Sequence, residues 1–260
     1  MVLPPLLAFV IFAPPWSISL LVAFCAAWAL YEVAAMLSAG SASGLALLLI
    51  TGALPAAAAL MRWAPALSAA LAAAAVAAMC GLIGWVNTHQ AGPSPPRPLL
   101  IAVGGLYVGA LYPYLALLRN ATGGLALLLI VLLVVMAGDS GAYLVGRAIG
   151  RTALMPAVSP GKTVEGAVAY VVCSVVAACV LKAVLGMGWN LGTTAGFGAL
   201  TSVAAQAGDL VESALKRLAG VKDSGWLFPG HGGMLDRADS LVFAAVFAYY
   251  YSWWLGLAAA

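Results

Sequence analysis

Apolar stretches long enough to cross a bilayer recur along the whole chain, and they constrain the fold more than any other feature. About 20 predominantly apolar residues span the hydrocarbon core as a helix. Of the 260 residues, 65% are hydrophobic and 7% are charged, whereas an ordinary soluble domain is about 25% charged. The apolar runs are continuous and do not alternate in polarity, which disfavours a membrane β-barrel. The sequence therefore predicts an all-α, polytopic integral membrane protein.

About nine transmembrane helices are predicted from these stretches. They are residues 3–14, 16–38, 44–61, 66–86, 98–118, 124–149, 164–186, 192–218 and 238–258. The first is short and ends at Pro14-Pro15, as a half-helix or a re-entrant piece would. Gly105-xxx-Gly109 and Gly192-xxx-Gly196 have the spacing that lets two membrane helices approach closely.

Basic residues are divided unevenly between the two ends of the predicted segments. Three of the eleven belong to the ends after odd-numbered segments, namely Arg62, Arg119 and Lys182. The other eight follow even-numbered segments: Arg97, Arg147, Arg151, Lys162, Lys216, Arg217, Lys222 and Arg237. By the positive-inside rule, the connections after even-numbered segments face the cytoplasm. We expect a bacterial inner-membrane protein.

Acidic residues concentrate in the C-terminal half. Seven of the eight lie between residues 139 and 239, and Glu32 is the only one before them. Charges at membrane depth cost free energy, so a concentration of this kind predicts a functional site. We therefore expect one membrane unit with two parts, a transmembrane scaffold over residues 1–122 and a catalytic region over residues 123–260.

Segment six carries a polar face. Asp139, Tyr143 and Arg147 are spaced i, i+4 and i+8, so they lie on the same side of a helix. The glycines around them would let a ligand or another backbone approach closely. An Asp139–Arg147 ion pair at the membrane interface is the structural alternative.

The loop after segment six contains Gly161-Lys162-Thr163, but it is not a P-loop. The first glycine of that motif would fall on Pro156, and no strand is predicted before it. Ser159-Pro160 predicts a turn, and Thr163 predicts a helix cap. Lys162 would then stand at a helix N-terminus, where the dipole already favours anions. A capped turn without a ligand is the alternative.

Segments eight and nine bring carboxylates together where two helix ends meet. Asp209, Glu212 or Ser213, and Lys216 share one helix face, while Asp236 and Asp239 open segment nine at i, i+3. Hard oxygen ligands without cysteine favour Mg²⁺ over zinc. An ion-free cluster of salt bridges is the alternative.

The run from Ser213 to Asp239 is rich in glycine, which predicts a loop in its middle. It combines this loop with basic side chains and carboxylates, the groups needed to hold a metal-bound polyphosphate. His231 fits a general base, a phosphate donor or a residue that only orders the loop.

These residues resemble a known family, the CDP-diacylglycerol synthases (phosphatidate cytidylyltransferases). The longest match is Ser213-x-Leu-Lys-Arg217, Lys222-Asp-x-Gly225 and Phe228-Pro-x-His-Gly-Gly-Met-x-Asp-Arg-x-Asp239. Two shorter runs also match: Asp139-x-Gly-Ala-Tyr-x-x-Gly-Arg-x-x-Gly150 and Ser159-Pro-x-Lys-Thr-x-Glu-Gly166. The N-terminal half matches only in hydropathy and in Tyr31-Glu32. Ala238 departs from the family, which has a larger residue there.

The resemblance implies that CTP and phosphatidate react to CDP-diacylglycerol and pyrophosphate in phospholipid biosynthesis. It implies a requirement for Mg²⁺, with room for a second cation, and a homodimer. Membrane lipids are expected partners, and nucleic acid is not. The implied catalytic residues are Lys216, Lys222, Asp223, His231 and Arg237. The implied metal ligands are Asp209, Asp236 and Asp239. The implied substrate-binding residues are Asp139, Tyr143, Arg147, Ser159, Lys162, Thr163, Glu165, Ser213 and Arg217.

Other functions remain open at this point. A transporter or channel would carry its charges along several helices, whereas here they gather at one end of the segments. A different CTP-using lipid enzyme, such as a polyprenol kinase or an archaeal CDP-archaeol synthase, would share the CTP site and differ in acceptor. A CDP-alcohol phosphotransferase is disfavoured, because its DGxxAR…GxxxDxxxD pattern is absent.

Overall fold

The computed structural model describes residues 3–38, 40–60, 65–89, 94–227 and 232–256, and it is almost entirely helical. The helices are α1 (Leu3–Phe12), α2 (Pro15–Met36), α3 (Ala42–Leu60), α4 (Pro65–Thr88), α5 (Arg97–Leu111), α6 (Pro113–Asn120), α7 (Gly124–Ile149), α8 (Val164–Val184), α9 (Leu191–Ala219) and α10 (Leu235–Trp254). One antiparallel hairpin, β1 (Ala153–Met155) and β2 (Ser159–Thr163), joins α7 to α8. The predicted all-α class is confirmed.

Within the described residues, six spans are long and apolar enough to cross a membrane. They are α2, α3, α4, the α5–α6 pair, α7 and α8. By this criterion the count falls below the nine predicted. Helix α1 has only 10 residues, and α9 and α10 are long enough but carry polar and charged residues. The chain is therefore a polytopic integral membrane protein whose last two helices are less apolar than these six spans.

The predicted segment 98–118 is one membrane span, Arg97–Asn120, but it consists of two helices. Helix α5 ends at Leu111, and α6 begins at Pro113. Proline has no N–H and cannot continue the helical hydrogen-bond ladder, so the helix is interrupted although both pieces belong to one membrane span. This span is the most buried of the six.

The hairpin corrects a second expectation. The turn lies at residues 156–158, and Ser159-Pro160 opens strand β2 instead of forming the turn. The cap is as predicted, because Thr163 Oγ1 accepts a hydrogen bond of 3.2 Å from the backbone N–H of Gly166. Gly161, Lys162 and Thr163 lie in a strand, which agrees with rejecting a P-loop.

Helix α8 shows how the bundle meets the bilayer. Valines 164, 168, 172, 176, 180 and 184 are all exposed along it. Their spacing of four residues places them on one side of the helix. Exposed apolar side chains on so regular a stripe fit contact with lipid tails, whereas the opposite side packs on α7 and α9.

Close helix packing occurs at one of the two predicted glycine pairs. Gly105 and Gly109 of α5 pack against α3, where a Cβ on Gly105 would collide with the Thr51 side chain and one on Gly109 with the backbone of Gly52. The Gly192–Gly196 pair has only looser neighbours. The first pair thus fixes how α3 and α5 cross.

Replacement of Gly109 by alanine is expected to destabilise the protein, because the added methyl group meets backbone atoms that cannot rotate away. Overpacking of this kind costs about 1–3 kcal/mol. Thermal unfolding in detergent measures the effect. Gly84→Ala in α4 is the matched control, since an added Cβ there meets nothing within 4 Å. Equal unfolding temperatures for the two variants would contradict the close packing.

Polar contacts sort the helix ends into two groups. At one end, Arg119 donates to the carbonyl of Ala13 at 3.3 Å and Asn120 donates to Ser19 at 3.1 Å. At the other end, the β-hairpin, the end of α9 and the start of α10 come together, with a hydrogen bond from Arg217 Nε to the Val158 carbonyl at 3.3 Å. All the motif-bearing residues that the structure describes belong to this second end or the helix turns next to it.

Candidate active site

A cavity of about 420 Å³ opens between α7, α8, α9 and the β-hairpin. Its size lies within the usual range of small-molecule sites, roughly 300–1,000 Å³. The predicted face of α7 forms one wall, because Asp139, Tyr143 and Arg147 all line the cavity. Lys162, Thr163 and Asp209 also line it. The structure thus brings Lys162 of the loop motif and Asp209, 47 residues further along the chain, to the predicted α7 face.

An ion pair crosses the cavity wall. Lys162 Nζ lies 2.6 Å from Asp209 Oδ2, and both side chains are about one third exposed or less. The hairpin and the Thr163 cap place Lys162 just before α8, while Asp209 projects from α9. Both charges therefore remain accessible to a ligand in the cavity.

The α7 side of the cavity does not use the alternative Asp139–Arg147 pair. Arg147 Nη1 instead donates to the Tyr143 hydroxyl at 2.9 Å. Tyr170 of α8 also lines the cavity, and its buried hydroxyl interacts with the Asp139 carboxylate.

Asp236 organises the loop beside the cavity. Its Oδ2 accepts hydrogen bonds from the backbone N–H of Ser224 at 2.9 Å, from Ser224 Oγ at 2.7 Å and from the backbone N–H of Gly233 at 2.7 Å. Its Oδ1 lies 2.5 Å from Lys216 Nζ. Burial alone would raise the pKa of Asp236, but the bonds from Lys216, Gly233 and Ser224 outweigh it and lower the pKa to about 2. Both oxygens of Asp236, at the start of α10, therefore accept from donors within the protein.

Lys216 is held between two carboxylates. Besides Asp236, it contacts Glu212 Oε2 at 2.7 Å. Glu212 is only 1% exposed, so its contact with Lys216 lies inside the protein. Sequence reasoning placed Glu212 on this face without choosing between it and Ser213. The structure selects Glu212 for the contact with Lys216, and Ser213 is buried beside it in α9.

One residue of this site was missed by sequence reasoning. Glu32 of α2 reaches the same loop, where its carboxylate accepts from the backbone N–H groups of Met234 and Leu235 and lies 3.2 Å from Ser224 Oγ. The signal was present, because a lone acid in an otherwise uncharged half predicts a function by itself. Its partners lie about 200 residues further along the chain, where no local pattern reveals them.

The other predicted residues lie around these contacts. The Glu165 carboxylate accepts from the backbone N–H groups of Arg151 and Thr152 and so holds the entry to the hairpin. Lys222 and Asp223 are exposed. The remaining residues are Arg217, bonded to the hairpin as described above, Ser159 in strand β2, Arg237, which is exposed in the first turn of α10, and His231, which lies outside the described residues.

The predicted Mg²⁺ site can be tested against these side chains. Four carboxylates lie near two lysines. Lys162 pairs with Asp209, and Lys216 pairs with Glu212 and Asp236. The fourth carboxylate is that of Asp239, which is close to both lysines. Hard oxygen donors in excess over lysine suit a divalent cation. Helices α9 and α10 approach closely here, since a Cβ on Gly208 would collide with the carbonyl of Asp239. The donor chemistry fits, although no three such side chains of the described residues are grouped to ligate an ion as they stand.

Comparison with known proteins places the chain in a family. The model of the cytidylyltransferase family matches residues 1–255, so the chain belongs to the cytidylyltransferase family. Among curated proteins it is similar to a phosphatidate cytidylyltransferase of Bacillus subtilis, with 40% identity over 151 residues, or 58% of this chain and 56% of that protein.

Two further relatives carry the same name. The protein of Staphylococcus haemolyticus is 42% identical over 144 residues, which are 55% of this chain and 54% of the relative. That of Staphylococcus saprophyticus is 44% identical over 137 residues, 53% of this chain and 52% of the relative. The chain thus spans about half the length of the curated relatives it matches.

Proposed function

We propose that this protein is a CTP:phosphatidate cytidylyltransferase, a nucleotidyltransferase that makes CDP-diacylglycerol and pyrophosphate for phospholipid biosynthesis. The observation that carries the proposal is the meeting of the matched motifs at one end of the bundle. There the Lys162–Asp209 cavity lies beside the loop held by Asp236. Membership of the cytidylyltransferase family and the names of the relatives support it.

The reaction is an in-line displacement at phosphorus. A non-bridging oxygen of the phosphatidate phosphate forms a bond to the α-phosphorus of CTP. The bond from the α-phosphorus to the bridging oxygen of the β-phosphate breaks, and pyrophosphate leaves with the electron pair. The attacking phosphate is already ionised, so no residue has to remove a proton from it. Positioning and charge neutralisation therefore carry the catalysis.

The side chains divide this work. Lys162 and Arg147 line the cavity and neutralise phosphate oxygens there. Lys216 and Arg237 do so from the loop side, with Lys222 extending the basic surface. Asp209 and Asp239, with Asp236, would hold Mg²⁺. What a bound Mg²⁺ supplies in such a transfer is neutralisation of the charge that develops on pyrophosphate.

The location of the site explains how two different substrates meet. The cavity lies at the helix ends, where a lipid phosphate at the bilayer surface and a soluble nucleotide are both within reach. The basic residues that follow even-numbered segments support a cytoplasmic location for this end, where CTP is available. The proposed membrane is the bacterial inner membrane. A homodimer remains part of the proposal through the family resemblance.

A purified preparation in detergent tests this function. Pyrophosphate release is followed with CTP and phosphatidate, with Mg²⁺ or with excess chelator, and with each substrate omitted in turn. We expect release only when both substrates and Mg²⁺ are present. Pyrophosphate release with a polyprenol or an archaeal ether lipid, but not with phosphatidate, would show that the acceptor is a different lipid. If folded protein released no pyrophosphate with any acceptor, the proposal of an enzyme would be wrong and a transporter would be favoured.

A further inference from the structure

Glu32 is a buried carboxylate surrounded by hydrogen-bond donors. Its side chain is 2% exposed. Oε1 accepts from Trp28 Nε1 at 3.0 Å and from the Met234 backbone N–H at 2.8 Å. Oε2 accepts from the Leu235 backbone N–H at 2.9 Å and lies 3.2 Å from Ser224 Oγ, whose single proton it shares with Asp236. A carboxylate only accepts and has about four lone-pair sites. Three N–H donors and the shared Ser224 hydroxyl therefore surround Glu32.

Two of these donors belong to the start of α10. The first N–H groups of a helix have no partner within the helix, and the dipole makes this end positive. Glu32 therefore caps α10 from α2, a helix of the predicted scaffold. Asp236 lies in the first turn of the same helix, so the cap also fixes the position of Asp236.

A continuous chain of polar contacts runs onward from Glu32. Ser224 Oγ lies within hydrogen-bond distance of both Glu32 and Asp236, Asp236 pairs with Lys216, and Lys216 pairs with Glu212. Three carboxylates thus share one hydroxyl and one ammonium group. Displacement of Glu32 would shift the charges that the proposed mechanism places on the phosphates.

The loop backbone is shaped around this carboxylate. A Cβ on Gly225 would lie 2.6 Å from Glu32 Oε1, and one on Gly233 would collide with both Glu32 and Ser224. Only residues without a side chain allow the backbone to approach this closely. Two glycines on opposite sides of the loop therefore mark Glu32 as its centre.

From these contacts we propose that Glu32 is a positioning residue for cytidylyl transfer. It fixes the loop and the start of α10 so that Asp236 and Lys216 stand at the reaction centre. The residues 1–122, predicted as a scaffold alone, thereby contribute directly to the geometry of the site. The catalytic consequence rests on the proposed function, whereas the structural placement does not.

The first test measures placement without any substrate. Hydrogen–deuterium exchange of the full chain in detergent is compared for wild type, Glu32→Gln and Tyr31→Phe. The amide of glutamine turns one acceptor oxygen into a donor that faces two donors. We expect exchange at Ser224, Gly233, Met234 and Leu235 to rise about tenfold or more in Glu32→Gln, which corresponds to about 1.4 kcal/mol. We expect α7 and α8 to stay unchanged, and Tyr31→Phe, an exposed neighbour, to match wild type.

The second test separates positioning from stability. Glu32→Gln is expected to lower kcat about tenfold or more while the KM for CTP changes by less than about threefold, since the cavity residues that bind CTP remain in place. In an Asp236→Asn background the same substitution is expected to cost little, because residues acting through one another are not additive.

Gly225→Ala provides an independent variant, because it displaces the Glu32 carboxylate without removing its charge. It is expected to reproduce the local rise in exchange and the fall in kcat. Unchanged exchange in both variants would overturn the proposal, and so would a rise spread over all helices or a local rise with full kcat. If the wild type transfers no cytidylyl group, the exchange result still decides the placement, so failure of the function and failure of this inference are distinguishable.

Discussion

Asp236→Asn is expected to reduce cytidylyl transfer by at least about 100-fold, comparable to the loss of a preorganised charge contact in other active sites. The carboxylate accepts three hydrogen bonds and pairs with Lys216. An asparagine keeps one acceptor oxygen and presents an NH₂ group to a neighbouring donor. Either orientation leaves Lys216 or the loop amides without their partner. Initial rates at saturating CTP and phosphatidate measure the effect.

Ser224→Ala is the graded comparison for this prediction. It removes only the hydroxyl and leaves the carboxylate, the Lys216 pair and both backbone donors. A loss of about tenfold or less is expected, in line with about 0.5–1.5 kcal/mol for one hydrogen bond. An Asp236→Asn protein that is folded and retains more than about a tenth of the wild-type rate would show that Asp236 does not organise the reaction centre.

Lys162→Met is expected to lower kcat/KM for CTP by at least about 100-fold, since charge-assisted contacts to phosphate are among the strongest that a side chain makes. The substitution removes an ammonium group from the cavity wall and leaves Asp209 without its ion-pair partner. The kinetics are measured over a range of CTP concentrations at fixed phosphatidate. Lys162→Arg keeps the charge and is expected to retain a larger share of activity.

Lys182→Met is the matched control for Lys162. It makes the same chemical change in the last turn of α8, on the order of 30 Å from the hairpin end of that helix. Activity close to wild type is expected. Equal losses in Lys162→Met and Lys182→Met would mean that the effect comes from general disturbance of α8, and it would remove Lys162 from the substrate site.

Helical periodicity was sufficient for one wall of the cavity. Asp139, Tyr143 and Arg147 repeat every four residues, so any helix over this stretch presents them together, and the structure does so. The Thr163 cap was equally predictable, because the signal and its partner lie three residues apart. Both features depend only on local geometry.

Contacts between distant segments were beyond local patterns. The Lys162–Asp209 pair depends on how the hairpin packs on α9, and the Glu32 cap depends on α2 meeting α10. Asp236 was predicted as a metal ligand, and an acid in the first turn of a helix is also a good hydrogen-bond acceptor for the loop amides. Its role in metal binding stays a prediction, because both of its oxygens are engaged by donors here.

The prediction of secondary structure failed at a proline inside an apolar stretch and at two short strands. Pro113 interrupts an apolar stretch that hydropathy treats as one span. The hairpin strands have three and five residues, too short for an alternating pattern to stand out from a loop. Ala238, where the chain departs from the family, is buried beside Asp239 with 7% of its surface exposed.

The most direct test of the central claim follows which phosphate of CTP reaches the lipid. Purified protein, phosphatidate and Mg²⁺ are incubated in parallel with CTP labelled with ³²P at the α or at the γ position, and lipids are extracted into organic solvent. Attack at the α-phosphorus predicts that the α label enters the lipid as CDP-diacylglycerol, while the γ label stays in water as pyrophosphate. Transfer of the γ label to lipid would identify a kinase. If the protein is folded and both labels stay in the aqueous phase, the claim that it is an enzyme of this kind would be contradicted.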